Sequence, residues 1–150
     1  MFWFMNCLWI AKNGLVLCIL LALGGCSLVS ISPYDSTADK AITKLHKQTA
    51  EFLSESTKAA DEPGCGYSHH LPFYQNSKVS MSSLLVRARA MADNSLTVSQ
   101  LELLSSSYSN LAQLHQLGCF TPAQVNELWV SFDASFSAIL KLELAKKYGR

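Results

Sequence analysis

Chain-breaking residues are scarce in this sequence: seven glycines and four prolines in 150 residues. Beyond residue 26 they fall only at 33, within 63–72, within 118–122 and at 149. The stretches between carry no sustained apolar–polar alternation, and Val79 and Val98 stand isolated, so no strand pattern emerges. A surplus of one charge is missing too. Residues 26–150 hold 11 Lys and Arg against 11 Asp and Glu, which excludes, by bulk charge, a basic nucleic-acid binder and an acidic tail protein. A second long apolar run is absent, which excludes a polytopic membrane protein. Gly-x-Ser-x-Gly, His-Glu-x-x-His, Walker and Rossmann patterns are likewise lacking. The acidic residues are scattered, and no serine is marked by a positioned base. The expectation is a protein that is not an enzyme and needs no cofactor.

What is present begins at the N-terminus. Residues 1–25 hold 19 hydrophobic residues and one charge, Lys12. Lys12, Asn13 and Gly14 precede the compact apolar segment Leu15–Leu23, the arrangement of a secretory signal. An uncleaved anchor over Phe2–Leu23 would instead put Lys12 near the middle of a bilayer, at a cost of about 3 kcal/mol. The segment ends Leu23-Gly24-Gly25-Cys26, which resembles the lipobox of bacterial lipoproteins. That resemblance implies cleavage between Gly25 and Cys26 and acylation of Cys26, whose two or three chains anchor stably where one does not. Ser27 in the following position implies export to the outer membrane, on its periplasmic face. The division expected is therefore a signal peptide over 1–25, a lipidated tether over 26–34 and a helical domain over 35–148.

Four helices are predicted in that domain. The first runs from Ser36 to Ala60, with Ser36 and Asp39 spaced as a capping box. Ala38, Ile42, Leu45, Thr49, Phe52 and Ser56 line one face of it at alternating spacings of three and four. The second starts at Phe73 or Ser77, carries Tyr74, Ser77, Met81, Leu84, Ala88 and Met91, and breaks at Asn94-Ser95. The third starts at Thr97 and presents Leu101, Leu104, Tyr108, Leu111 and His115, with Gly118 just past its end. The fourth starts at Thr121-Pro122-Ala123-Gln124, which offers an N-cap threonine, proline at N1 and glutamine at N3. It continues through Val125, Leu128, Phe132, Phe136, Ile139 and Leu140 to Lys146 and Lys147, cations suited to a helix C-terminus. Four such helices with short connections predict an all-α, up-down-up-down four-helix bundle. The alternative is a three-helix bundle with residues 61–80 draped over it. Twenty serines after residue 26 make packing, rather than helix propensity, the source of stability.

The Ser32-Pro33-Tyr34-Asp35 opening and the ending from Ile139 to Lys147 resemble those of small proteobacterial lipoproteins. The resemblance implies a location in the cell envelope and brings no activity with it. It also frames the cysteines. Cys7 and Cys18 would leave with the signal and Cys26 would carry lipid, so Cys65 and Cys119 remain as a pair in an oxidising compartment. In an up-and-down bundle the first and third connections share an end, which predicts a Cys65–Cys119 disulfide. The competing reading is a zinc or copper site of Cys65, His69, His70, His115 and Cys119. Without a metal, His69 and His70 are expected in a solvated loop, His115 packed with one hydrogen bond, and His46 exposed. Trp129 lies beside the apolar stripe of the fourth helix and is the natural anchor for an envelope protein partner. Two functions follow as expectations: a lipid-anchored, non-enzymatic interaction or structural protein of the envelope, and, alternatively, a periplasmic metal-binding protein. The first has two partners, the membrane through the anchor on Cys26 and an envelope protein, and no nucleic acid.

Overall fold

A computed structural model describes residues 31–58 and 63–149. The lipobox residues Gly25 and Cys26 lie outside them, as do residues 59–60, the last of the predicted first helix. Among the described residues four helices run in sequence: α1 over Ser36–Lys58, α2 over Leu71–Arg89, α3 over Ser95–Gln116 and α4 over Pro122–Tyr148. Each packs on its neighbour in the chain, and α4 closes the ring on α1. Among the described residues there is no strand. The chain is the expected all-α, up-down-up-down four-helix bundle. The three-helix alternative fails because residues 71–89 are helical, and among the described residues the connection before them is 63–70, ending in one 3-10 turn, Tyr67–His70.

The helix ends follow local chemistry. At α1 the cap is Asp35, not Ser36: its Oδ1 accepts from the amides of Thr37 at 3.0 Å and Ala38 at 3.2 Å. Asp39 accepts instead from the Tyr34 hydroxyl. The α2 helix begins at Leu71, earlier than predicted, because Pro72 in the first turn replaces an amide that would have had no helical partner. The α3 helix begins at Ser95, two residues before the predicted Thr97, and no side chain caps it. Asp93 just before it takes a left-handed φ of 56°, which turns the chain back. At α4 the predicted capping box is present. Thr121 Oγ1 accepts from the Gln124 amide at 3.3 Å, and Gln124 Oε1 accepts from the Thr121 amide at 2.9 Å. Gly149, at φ 67°, ends the helix in the left-handed conformation that favours glycine.

The predicted stripes converge on one core of Ile42, Leu45, Phe52, Met81, Leu84, Leu101, Leu104, Leu111, Phe132, Phe136 and Ile139. The hydroxyls of Thr49 and Ser56 within it are satisfied. Thr49 Oγ1 donates to the Leu45 carbonyl and meets the Tyr108 hydroxyl, and Ser56 Oγ donates to the Phe52 carbonyl. Outside the core, Ser106, Ser107, Ser109 and Ser135 fold onto the carbonyl four residues back. These hydroxyls thus find partners within the helix, and the helix owes its stability to packing rather than to these bonds.

The two ends of the bundle differ. One, the head, carries the 63–70 and 117–121 connections. The other, the foot, gathers residues 31–35, the 90–94 connection and the end of α4. There Ser32 donates its amide to the Asp93 carbonyl at 3.1 Å and its hydroxyl to Asn94 Oδ1 at 2.7 Å. Lys146 Nζ reaches Asn94 Oδ1 at 2.7 Å, Thr97 Oγ1 at 2.6 Å and Glu143 Oε1 at 2.6 Å. The Glu143 and Lys146 side chains are only 1% and 3% exposed, so an ion pair closes the core where an apolar layer ordinarily would. Asp35 adds a two-pronged ion pair with Arg87 of α2.

Candidate functional site

The sequence gathered its candidate residues at the head, and the head is where they are found. Cys65 and Cys119 form a disulfide with their Cα atoms 5.4 Å apart, which pins the first connection to the third. Beneath it lies His115, 1% exposed and carrying two hydrogen bonds rather than the one expected. Its Nε2 lies 2.7 Å from the Cys65 carbonyl oxygen and its Nδ1 lies 2.7 Å from the Tyr74 hydroxyl. A carbonyl only accepts, so Nε2 donates to Cys65, and Nδ1 shares a hydrogen bond with the Tyr74 hydroxyl. Phe120 stacks on this ring at 4.3 Å between centroids, and Phe52, Tyr67 and Tyr74 surround it. Burial, with Tyr67 alongside, pushes the Tyr74 phenol well above its usual value, so it stays a neutral donor.

His70 differs from its predicted place in a solvated loop. It is half-buried, with its ring 5.4 Å from that of His115 and edge-on to Phe52 at 5.2 Å. Burial first, and then the neighbouring His115, hold its pKa below the ordinary value, and its Nε2 is buried without a hydrogen-bond partner. His69 stays exposed. The predicted metal set is therefore not assembled. Both sulfurs are bonded to each other, both nitrogens of His115 are engaged, and among the described residues no three His, Cys, Asp or Glu side chains converge on a point that could hold a metal.

Trp129 sits apart from this cluster, half-buried on α4. His46 of α1 is not simply exposed as predicted: its ring stacks on the indole at 5.5 Å and 4°, and its Nε2 lies 3.1 Å from Asp133 Oδ1. Trp129 flanks the core and forms one wall of a groove between α1 and α4. The groove holds about 340 Å³ and is lined by Ala50, Leu53, Ser54, Pro122, Val125 and Asn126 as well as the indole. The His46 stack and the aspartate behind it fix the indole's angle, so this wall is formed before anything binds. The sequence singled out Trp129 but gave no sign of His46 and Asp133, which lie 87 positions apart. Comparison with protein-family models, with curated proteins and with solved structures gives no match.

Proposed function

We propose that this chain is a lipid-anchored, periplasm-facing protein of the bacterial envelope that works by binding another envelope protein and not by catalysis. The observation that carries the reading is the pre-formed apolar groove walled by Trp129, at the head half of the bundle, far from the residues that lead back to Cys26. A large indole held at the rim of a small apolar groove is the usual form of an interaction anchor, and it fits a partner that inserts an apolar side chain or one turn of helix. The Cys65–Cys119 disulfide supports an oxidising compartment. His115 and Tyr74, the groups best placed for proton chemistry, are engaged with each other and with the loop, which supports a structural part for them.

Two measurements test the two halves of the proposal. Metabolic labelling with a palmitate analogue should mark the chain and should not mark Cys26→Ala. Label that persists in the variant overturns the anchoring. A photo-crosslinking residue at Asn126, in intact envelopes, should give one adduct of defined mass that disappears with Trp129→Ala. The same adduct from Leu103, exposed on α3, or none at Asn126, overturns the groove as the binding site.

A further inference from the structure

We infer that the foot of the bundle is a second, non-covalent membrane contact, in which Ile31, Leu96, Leu144 and Tyr148 rest on the lipid surface that holds the acyl chains of Cys26. The inference rests on the anchoring reading above and adds to it an orientation: the bundle stands on its foot rather than swinging on its tether.

The argument starts from chain length. Ser32 is held at the foot by its two hydrogen bonds to Asp93 and Asn94. From Cys26 to Ser32 is six residues, a reach of at most about 20 Å however they run. The foot therefore cannot leave the headgroup region by more than a few lipid-headgroup widths, whereas the head can lie a whole helix length further out.

The foot also exposes apolar side chains. The connection after α2 reads Ala90-Met91-Ala92-Asp93-Asn94, with both alanines and Asp93 exposed and Asn94 buried. Around it Ile31 is 48% exposed, Leu96 59%, Leu144 43% and Tyr148 65%. Leu144 and Tyr148 are four apart and share a face of α4, with Lys141 one turn earlier on that face. Lys147 lies 5.7 Å from the Tyr148 ring. Tyrosine with apolar neighbours and flanking lysines is the pattern of a lipid–water interface, where the ring sits at headgroup level and lysine stems lie along apolar surface with their charge in water.

The frame beneath these side chains is fixed. Lys146 ties α4 to Asn94 and Thr97 at the start of α3, and Asn94 in turn holds Ser32. Three separate pieces of chain thus present their apolar residues in one arrangement. The charges of Glu143, Lys146, Asp35 and Arg87 are spent on one another. Arg89 pairs with Glu102, while Asp93 and Lys147 are exposed beside the apolar residues; the apolar side chains carry the contact, which should hold when salt is raised.

The test uses the full chain in vesicles of phosphatidylethanolamine and phosphatidylglycerol whose acyl chains carry bromine, a quencher of indole fluorescence. Trp129→Phe removes the only tryptophan beyond residue 25. On that background Tyr148→Trp places the reporter at the foot, and Leu117→Trp places it at the head, where residue 117 is 85% exposed. The Tyr148→Trp protein should lose emission in brominated relative to unbrominated vesicles, also at high salt, while the Leu117→Trp protein keeps it. Circular dichroism confirms that both remain helical. Equal emission at the two positions, on protein whose intact mass shows acylated Cys26, overturns the foot contact alone. A mass without acyl chains overturns the anchoring, and the foot contact with it.

Discussion

His115 donates from Nε2 to the carbonyl oxygen of Cys65, 2.7 Å away, so one imidazole holds by its side chain the same loop residue that the disulfide holds by its sulfur. With Tyr74 on the other nitrogen, the ring bridges α2, α3 and the head connection. Replacing it with an apolar residue of similar size would leave a buried hydroxyl and a part-buried carbonyl without partners. We predict that His115→Leu costs about 2–4 kcal/mol, the desolvation penalty of two such groups. Urea denaturation measures it, and an unchanged midpoint would show that water replaces the ring without loss.

The neighbouring His70 makes stability depend on pH. Its folded pKa lies below the ordinary 6.5, because burial and the nearby His115 and His69 disfavour the charged ring more than Glu55 favours it. Between the lowered value and 6.5 the unfolded chain binds more protons than the folded one, so stability rises with pH across that window. His70 contributes no loss above about 6.5 and a growing one as pH falls below it. Melting temperatures from pH 7 down to 5 should decline, and His70→Gln should flatten the decline. Asp35 acts lower on the scale. Arg87 holds its carboxyl below the ordinary carboxylate value, so its contribution is complete above about pH 4 and is lost only as pH falls further.

Reduction of the Cys65–Cys119 bond frees a loop whose ends are 54 residues apart in sequence. Chain entropy assigns a closure of that length about 4 kcal/mol, a figure that real disulfides often fall short of. Mature protein should show no alkylated thiol before reduction and two after, with a lower melting temperature once reduced. Two alkylated thiols in the unreduced protein would remove the disulfide from the picture.

The apolar stripes of α1 and α3 were legible because their spacing survives polar members such as Thr49, Ser56 and His115, each of which is buried where the period puts it. The start of α2 was harder to place, since a proline can either break a helix or occupy its first turn, and Pro72 does the latter. The foot was scarcely legible. Asn94 reads as a breaker, yet its side chain accepts from Ser32 and Lys146, 62 and 52 positions away, and no local pattern reports such partners. The α4 stripe did carry a signal. Phe132, Phe136 and Ile139 continue at the same alternating spacing to Glu143 and Lys146, but two charges in those places read as a solvated helix end. At the head topology places His70 and His115 together, with His69 left exposed, while the partners of His115, a backbone carbonyl and a tyrosine from another helix, left no mark on the sequence.

That buried pair gives the sharpest test of the bundle's construction. Glu143 and Lys146 are almost fully withdrawn from water, and Glu143 Oε2 is buried without a hydrogen-bond partner, so the carboxylate depends on Lys146 for most of its compensation. Removing the lysine leaves a buried carboxylate facing only Thr97, and it also strips one donor from Asn94, which holds Ser32. Breaking a buried ion pair from one side typically costs about 3–5 kcal/mol, whereas replacing both partners with apolar residues is often neutral or stabilising. We therefore predict that Lys146→Met destabilises by about that amount, and that Glu143→Leu introduced with it restores much of the loss. Chemical denaturation of the wild type, both single variants and the double variant closes the cycle. Should the double variant prove less stable than Lys146→Met alone, the pair would be a net source of stability in its own right, and the account of a desolvated charge held in check by its partner would be wrong.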